Sequence, residues 1–95
     1  MRVKYSSKAY RDLVEIKQFG ILNFGRVHAD SYQAKIKKTL KRIGMYPEGA
    51  RIREELAIPV RILPVGSHLI VYEVQAGLIL IIRVLHGSQN ILDHL

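Results

Sequence analysis

VRILPVGSHLIVYEVQAGLILIIRVLH, Val60 to His86, is the stretch on which the fold turns. It holds three runs of branched apolar residues, and each break between them contains a glycine. Runs of this composition and length form strands. Strands are predicted at about Val60–Leu63, His68–Val74 and Leu78–Leu85. The breaks, Pro64–Gly66 and Gln75–Gly77, are short enough to make both joints tight hairpins. The last run is apolar on both faces, which marks a central strand covered on each side.

Upstream, the period changes. Met1–Tyr5 reads as a short strand, and Ser6 and Ser7 offer capping oxygens to a helix. Ala9, Leu13, Ile16 and Gly20 recur at helical spacing and form one face. Tyr10, Val14, Ile21 and Phe24 widen the apolar stripe on an adjoining side, and Gly25 offers a stop. A second helix spans roughly Val27 to Ile43, with Ala29, Tyr32, Ile36, Leu40 and Ile43 on its inner face. Its other face is basic, and Gly44 is expected to end it. A turn that short makes a helical hairpin. The expected architecture is α+β, in the order β-α-α-β-β-β. A small, mostly antiparallel sheet carries the helical hairpin on one face, in one domain over residues 1–95.

Alternation then places the charged residues. With three-residue turns, Leu69 faces Arg83 and Arg61 faces Leu69. Arg61 and Arg83 would then flank Leu69 on the sheet face away from the helices. Two such guanidinium groups can clamp phosphate or carboxylate oxygens. The alternative is that each pairs with a local carboxylate, such as Glu73 or Glu55. His86 lies at the end of the last strand, where it can either move protons or serve as a surface hydrogen-bonding group. The tail after Leu85 is expected to add little to the core. His28, His68 and His94 are scattered without ligand spacing, so no metal site and no cofactor are expected.

The chain carries 15 Lys and Arg against 8 Asp and Glu, a net charge of +7. That balance favours an acidic partner. Hydrophobic content of 48% argues against a disordered chain. The absence of cysteine excludes a disulfide framework and fits the cytosol. The opening Met-Arg-Val-Lys-Tyr lacks the apolar run of a signal peptide. No segment approaches the roughly 18 apolar residues of a membrane span. A cytoplasmic protein with no membrane contact is therefore expected.

The motifs together resemble a known family. Val60–Val74 and Gly77–Leu95, with Arg83-Val84-Leu85-His86-Gly87 as the most specific segment, are similar to the ParE branch of the RelE/ParE toxin superfamily. SSKAYRDLVEI, Ser6–Ile16, resembles its first helix, and YPEGARIREEL, Tyr46–Leu56, its connector. The resemblance implies the toxin of a bacterial type II toxin–antitoxin pair, in a hetero-oligomer with a cognate antitoxin. Operator DNA would be reached only through that antitoxin. ParE relatives inhibit DNA gyrase without catalysis and block replication. RelE relatives cut messenger RNA in the ribosome, and here Arg61, Arg83 and His86 would supply the chemistry. A non-toxic antitoxin-binding module is the third reading. On the gyrase reading, Arg61, Arg83, His86 and Asn90 are candidate target contacts. Tyr10, Val14, Ile21 and Phe24 are candidates for an antitoxin groove.

Overall fold

The computed structural model describes residues 1–95. Five strands form one sheet in the order β1-β5-β4-β3-β2. They are β1 (Arg2–Tyr5), β2 (Ile52–Arg53), β3 (Val60–Val65), β4 (His68–Gln75) and β5 (Leu78–His86). β1 runs parallel to β5, and every other pair is antiparallel. β2 is a strand that the sequence reading leaves within the charged connector.

One helical segment, Ser7–Met45, links β1 to the rest, and it is interrupted at Gly25 (φ 82°, ψ 164°). A straight helix of 39 residues would be about 58 Å long, whereas the longest dimension of the molecule is 38 Å. The segment therefore folds back on itself. Gly20 approaches Ala29 so closely that an added Cβ would lie 3.3 Å from the alanine's. The two arms, α1 (7–24) and α2 (26–45), make the expected hairpin. A left-handed angle that only glycine adopts cheaply reverses the chain. The N-cap is Ser6, whose Oγ accepts from the Ala9 amide at 3.0 Å. At the other end α2 runs past Gly44 to Met45, where the Tyr46 amide caps the Arg42 carbonyl. Gly44 serves contact instead: the Met1 nitrogen donates to its carbonyl at 3.1 Å, and Val3 packs over its missing side chain.

The hairpin buries its inner stripe, including Ala9, Ala29, Ile36, Leu40 and Ile43, against Ile70, Tyr72, Ile79, Ile81 and Val84. The other sheet face carries a smaller cluster, Val60, Val71 and Leu85. Leu56, Ile62, Ile82, Ile91 and Leu95 pack around it. β5 is thus covered on both faces, as its two-sided apolar pattern requires. The tail contributes to that cover: it forms a short 3-10 helix, Ile91–His94, and brings Ile91 and Leu95 onto the second cluster. The expectation that the tail adds little core is overturned. No helix is long and apolar enough to cross a membrane.

Candidate functional site

The turns are one residue shorter than the sequence reading takes them to be. Val65 pairs with His68 and Gln75 with Leu78, so each hairpin closes through two residues. Gly66 (φ 56°) and Gly77 (φ 71°) supply the left-handed angles such loops need. Register then places Arg61 opposite Tyr72 and Arg83 opposite Val71. Between those pairs β5 is irregular: Tyr72 faces Ile81 and Val71 faces Arg83, leaving Ile82 as an extra residue. Tyr72 belongs to the helix-side cluster and Val71 to the opposite one. The single row of two free guanidinium groups is therefore overturned. Arg61 and Arg83 start on opposite sides, and neither flanks Leu69.

Both arginines bind within the chain. Arg61 Nη1 donates to the Ala50 carbonyl at 2.6 Å. Nearby the Tyr72 hydroxyl donates to the Pro47 carbonyl at 2.9 Å, so the two side chains together tie down the connector after α2. Arg83 makes a fork with Asp12 of α1: Nε to Oδ2 at 2.8 Å and Nη2 to Oδ1 at 2.9 Å. Asp12 also accepts the Val84 amide at 2.9 Å, and it is only 9% exposed. Arg83 Nη1 reaches the His94 carbonyl at 3.3 Å. The Asp12 hydrogen bonds push the guanidinium even further toward its charged form. Neither Glu73 nor Glu55 is the partner of either arginine. Glu55 pairs with Arg51 and Arg53.

The irregular step creates this clamp. β1 pairs with β5 only as far as Ile81. Past that point the start of α1 faces the open edge of β5. There Ser6 Oγ donates to the Ile82 carbonyl at 2.6 Å and Asp12 takes the Val84 amide. One helix terminus thus satisfies the backbone groups that the step leaves unpaired.

His86 is exposed at the end of β5. Its amide donates to Gln89 Oε1 at 2.8 Å, and its Nδ1 lies 2.7 Å from Ser88 Oγ. Asn90 caps the 3-10 helix by accepting the Leu92 amide at 3.1 Å. His86 meets His68 edge to face, with centroids 5.4 Å apart. His68 Nδ1 lies 2.6 Å from the Tyr32 hydroxyl, which also donates to the Val65 carbonyl and accepts the Ser67 amide. Burial first, and the neighbouring His86 second, push His68 below the usual imidazole range; Asp12 opposes them. This Tyr32–His68–His86 cluster escapes sequence reasoning, in which Tyr32 counts as an inner-face apolar residue and His68 as an isolated histidine. The cluster opens into a cleft of about 1120 Å³, whose wall toward the hairpin tip includes Phe19, Phe24 and His28.

The four apolar groove candidates divide. Tyr10, Val14 and Phe24 are exposed, while Ile21 is half-buried. The hairpin tip adds residues the sequence reading does not single out. Phe19 is 61% exposed, Leu22 85% and Val27 80%. Phe19 and Phe24 stack edge to face, 6.2 Å apart. These apolar side chains lie exposed together at one end of the molecule.

No curated protein matches the chain. A solved structure titled "Chromosomal ParDE TA system from P. aeruginosa" is similar at a TM-score of 0.79 and 24% identity. The likeness covers 90% of this chain and 95% of that one, and it bears on the fold alone. The family model described as "ParE toxin of type II toxin-antitoxin system, parDE" matches residues 3–91. With β1, the helical hairpin and all of β2–β5 inside that match, the chain belongs to the ParE toxin family of type II toxin–antitoxin systems.

Proposed function

We propose that this chain is a cytoplasmic toxin that inhibits DNA gyrase by binding it, without catalysis, and is neutralised by a cognate antitoxin. The family match carries the reading. The Asp12–Arg83 fork supports it against the nuclease alternative, because a guanidinium held by a buried carboxylate is not free to stabilise a phosphate in flight. On this reading the gyrase contact is the surface around His86 and the C-terminal turn capped by Asn90. Arg83 acts behind that surface by holding the His94 carbonyl. Arg61 holds the connector. The exposed apolar side chains of the hairpin, Tyr10, Val14 and Phe24 with the edge of Ile21, receive the antitoxin. Operator DNA is then reached through the antitoxin in a hetero-oligomer.

The endoribonuclease reading keeps one specific support. Tyr32, His68 and His86 share an open cleft and include two groups able to move protons. Brief expression in bacteria separates the two. Loss of supercoiling and chromosome breakage with translation initially intact is the expected outcome. Early translation arrest with cleaved messenger RNA would transfer the function to the cleft, and unaltered growth would leave an antitoxin-binding module.

A further inference from the structure

Five cations fall within eight residues of α2: Lys35, Lys37, Lys38, Lys41 and Arg42. Lys35, Lys38 and Arg42 recur three and four residues apart, and Lys37 and Lys41 four apart, so they form two adjacent rows on the helix. Ile36, Leu40 and Ile43 take the opposite side and are buried. All five cations are exposed, and none takes part in an ion pair. No Asp or Glu occurs in residues 31–47. Without the five, ten basic residues would face eight acidic ones, so this one face accounts for five of the seven net charges. The field is therefore directional, and it is strongest over a stripe about 10 Å long.

The composition of that stripe is unlike a protein-docking surface. Lysine is depleted where proteins meet, and aromatic and apolar anchors are enriched. Here no large apolar side chain is exposed from residue 31 to 44. Four of the five cations are lysines, which act as mobile point charges rather than planar forks fitted to one carboxylate. Such a face suits a partner whose charge is dense, repeated and free of a fixed position. Duplex DNA, with one phosphate charge per about 1.7 Å of its axis, is a partner of that kind. A single strand would call for aromatic side chains on which to stack its bases, and residues 33–42 contain none.

We propose that the outer face of α2, from Lys35 to Arg42, lies on the phosphate backbone of duplex DNA without reading its sequence. The lysine stripe carries the contact itself. The choice of DNA over duplex RNA rests on the gyrase reading, because DNA is what gyrase works on. By holding the toxin on DNA, the stripe raises its effective concentration beside that enzyme. This contact is separate from the one with operator DNA, which is made through the antitoxin. It also uses neither the His86 tail nor the hairpin tip.

The test uses the full chain, without gyrase or antitoxin, and a fluorescent DNA duplex of arbitrary sequence, read by anisotropy across a salt series. With most of the five cations engaged, the logarithm of affinity should fall with the logarithm of salt at a slope of about −4. A duplex of unrelated sequence should bind with the same affinity and slope. The double variant Lys38→Gln with Lys41→Gln should bind more weakly and lose about 2 from the slope, with its circular dichroism spectrum unchanged. Lys17→Gln with Arg26→Gln removes the same charge elsewhere on the hairpin and should leave the slope near the parent value. Equal losses from the two pairs would overturn the location, because net charge alone would then account for binding. Absence of binding at low salt would overturn the site. Tighter binding of a duplex RNA or a single strand, or displacement of the duplex by polyglutamate as readily as by unlabelled duplex, would overturn the choice of partner. Failure of the gyrase reading shows separately, as unaltered supercoiling in cells, and leaves these slopes where they are.

Discussion

Asp12 ties the start of the helical hairpin to β5 and, through Arg83, to the C-terminal tail. It accepts three hydrogen bonds, two from Arg83 and one from the Val84 amide, and through Arg83 it reaches the tail. Asp12→Ala would strand a mostly buried guanidinium and an amide together, and the expected loss is about 3 kcal/mol of folding stability. Urea denaturation measures it. The double replacement Asp12→Asn with Arg83→Met should recover part of the loss, because a neutral pair leaves no stranded charge. Reduced toxicity of Arg83→Ala alone would therefore report a loosened tail rather than a lost target contact. The sequence reading missed this clamp, offering Glu73 or Glu55 as partners and leaving Asp12 out of account. A carboxylate three residues after Ala9 and four before Ile16 falls on the buried face of α1, so it demands a cation. Arg83 is the only cation in β5, the most apolar strand. No local pattern signalled the extra residue in β5 that brings the two together.

His68 gives the residue scale a pH dependence. Its folded pKa lies below the free value of 6.5, from burial first and from His86 second. Below that value the unfolded chain binds more protons than the folded one, so stability should fall as pH drops under about 6.5 and stay flat above it. Denaturation midpoints between about pH 5 and 8 will show the slope. His68→Gln should flatten it. A slope unchanged in that variant would assign the effect to another group.

Elements were easier to read than their alignment. The 3.6-residue stripes of α1 and α2, the reversal at Gly25 and the three C-terminal strands follow directly from apolar periodicity and glycine position. Register does not, because it depends on whether Pro64–Val65 and Gln75 belong to strand or turn. A single residue decides which face every following side chain takes. The actual β3–β4 turn rests on Gly66, whose missing side chain makes room for Tyr32. An added Cβ would come within 2.6 Å of the ring. Gly66→Ala therefore combines backbone strain with a clash and should cost at least about 2 kcal/mol. It should also displace Tyr32 from His68, which imidazole NMR shifts will report. A thermally wild-type variant would mean that the ring moves aside freely. The tail behaves as an element too. Ile91 covers Val60, Val71 and Leu85, and Ile91→Ala should cost about 2 kcal/mol. Removal of everything after Leu85 should expose that cluster and give a less cooperative unfolding transition.

At the scale of the whole molecule, the two ends of the helical hairpin are chemically unlike. The root of α2, beside β1, is basic, and the tip around Gly25 is apolar, with Phe19, Leu22, Phe24 and Val27 all in solvent. A domain of 95 residues has little core to spare, so leaving four large apolar side chains outside it requires a compensating use. On the proposed function, antitoxin docking supplies one. Replacing Phe19, Leu22, Phe24 and Val27 together by serine removes the exposed Phe19–Phe24 stack and some helix propensity but no core residue, so the variant should stay folded with a modestly lower denaturation midpoint. Affinity for the cognate antitoxin should fall at least about 100-fold, because aromatic anchors of this kind commonly contribute about 2 kcal/mol each when buried at an interface. Titration calorimetry with the purified pair measures both the affinity and the loss of apolar burial, seen as a smaller negative heat-capacity change. If the serine variant binds as tightly as the parent, the antitoxin seat lies elsewhere on the hairpin, and Tyr10 and Val14 on the outer face of α1 become the next positions to change.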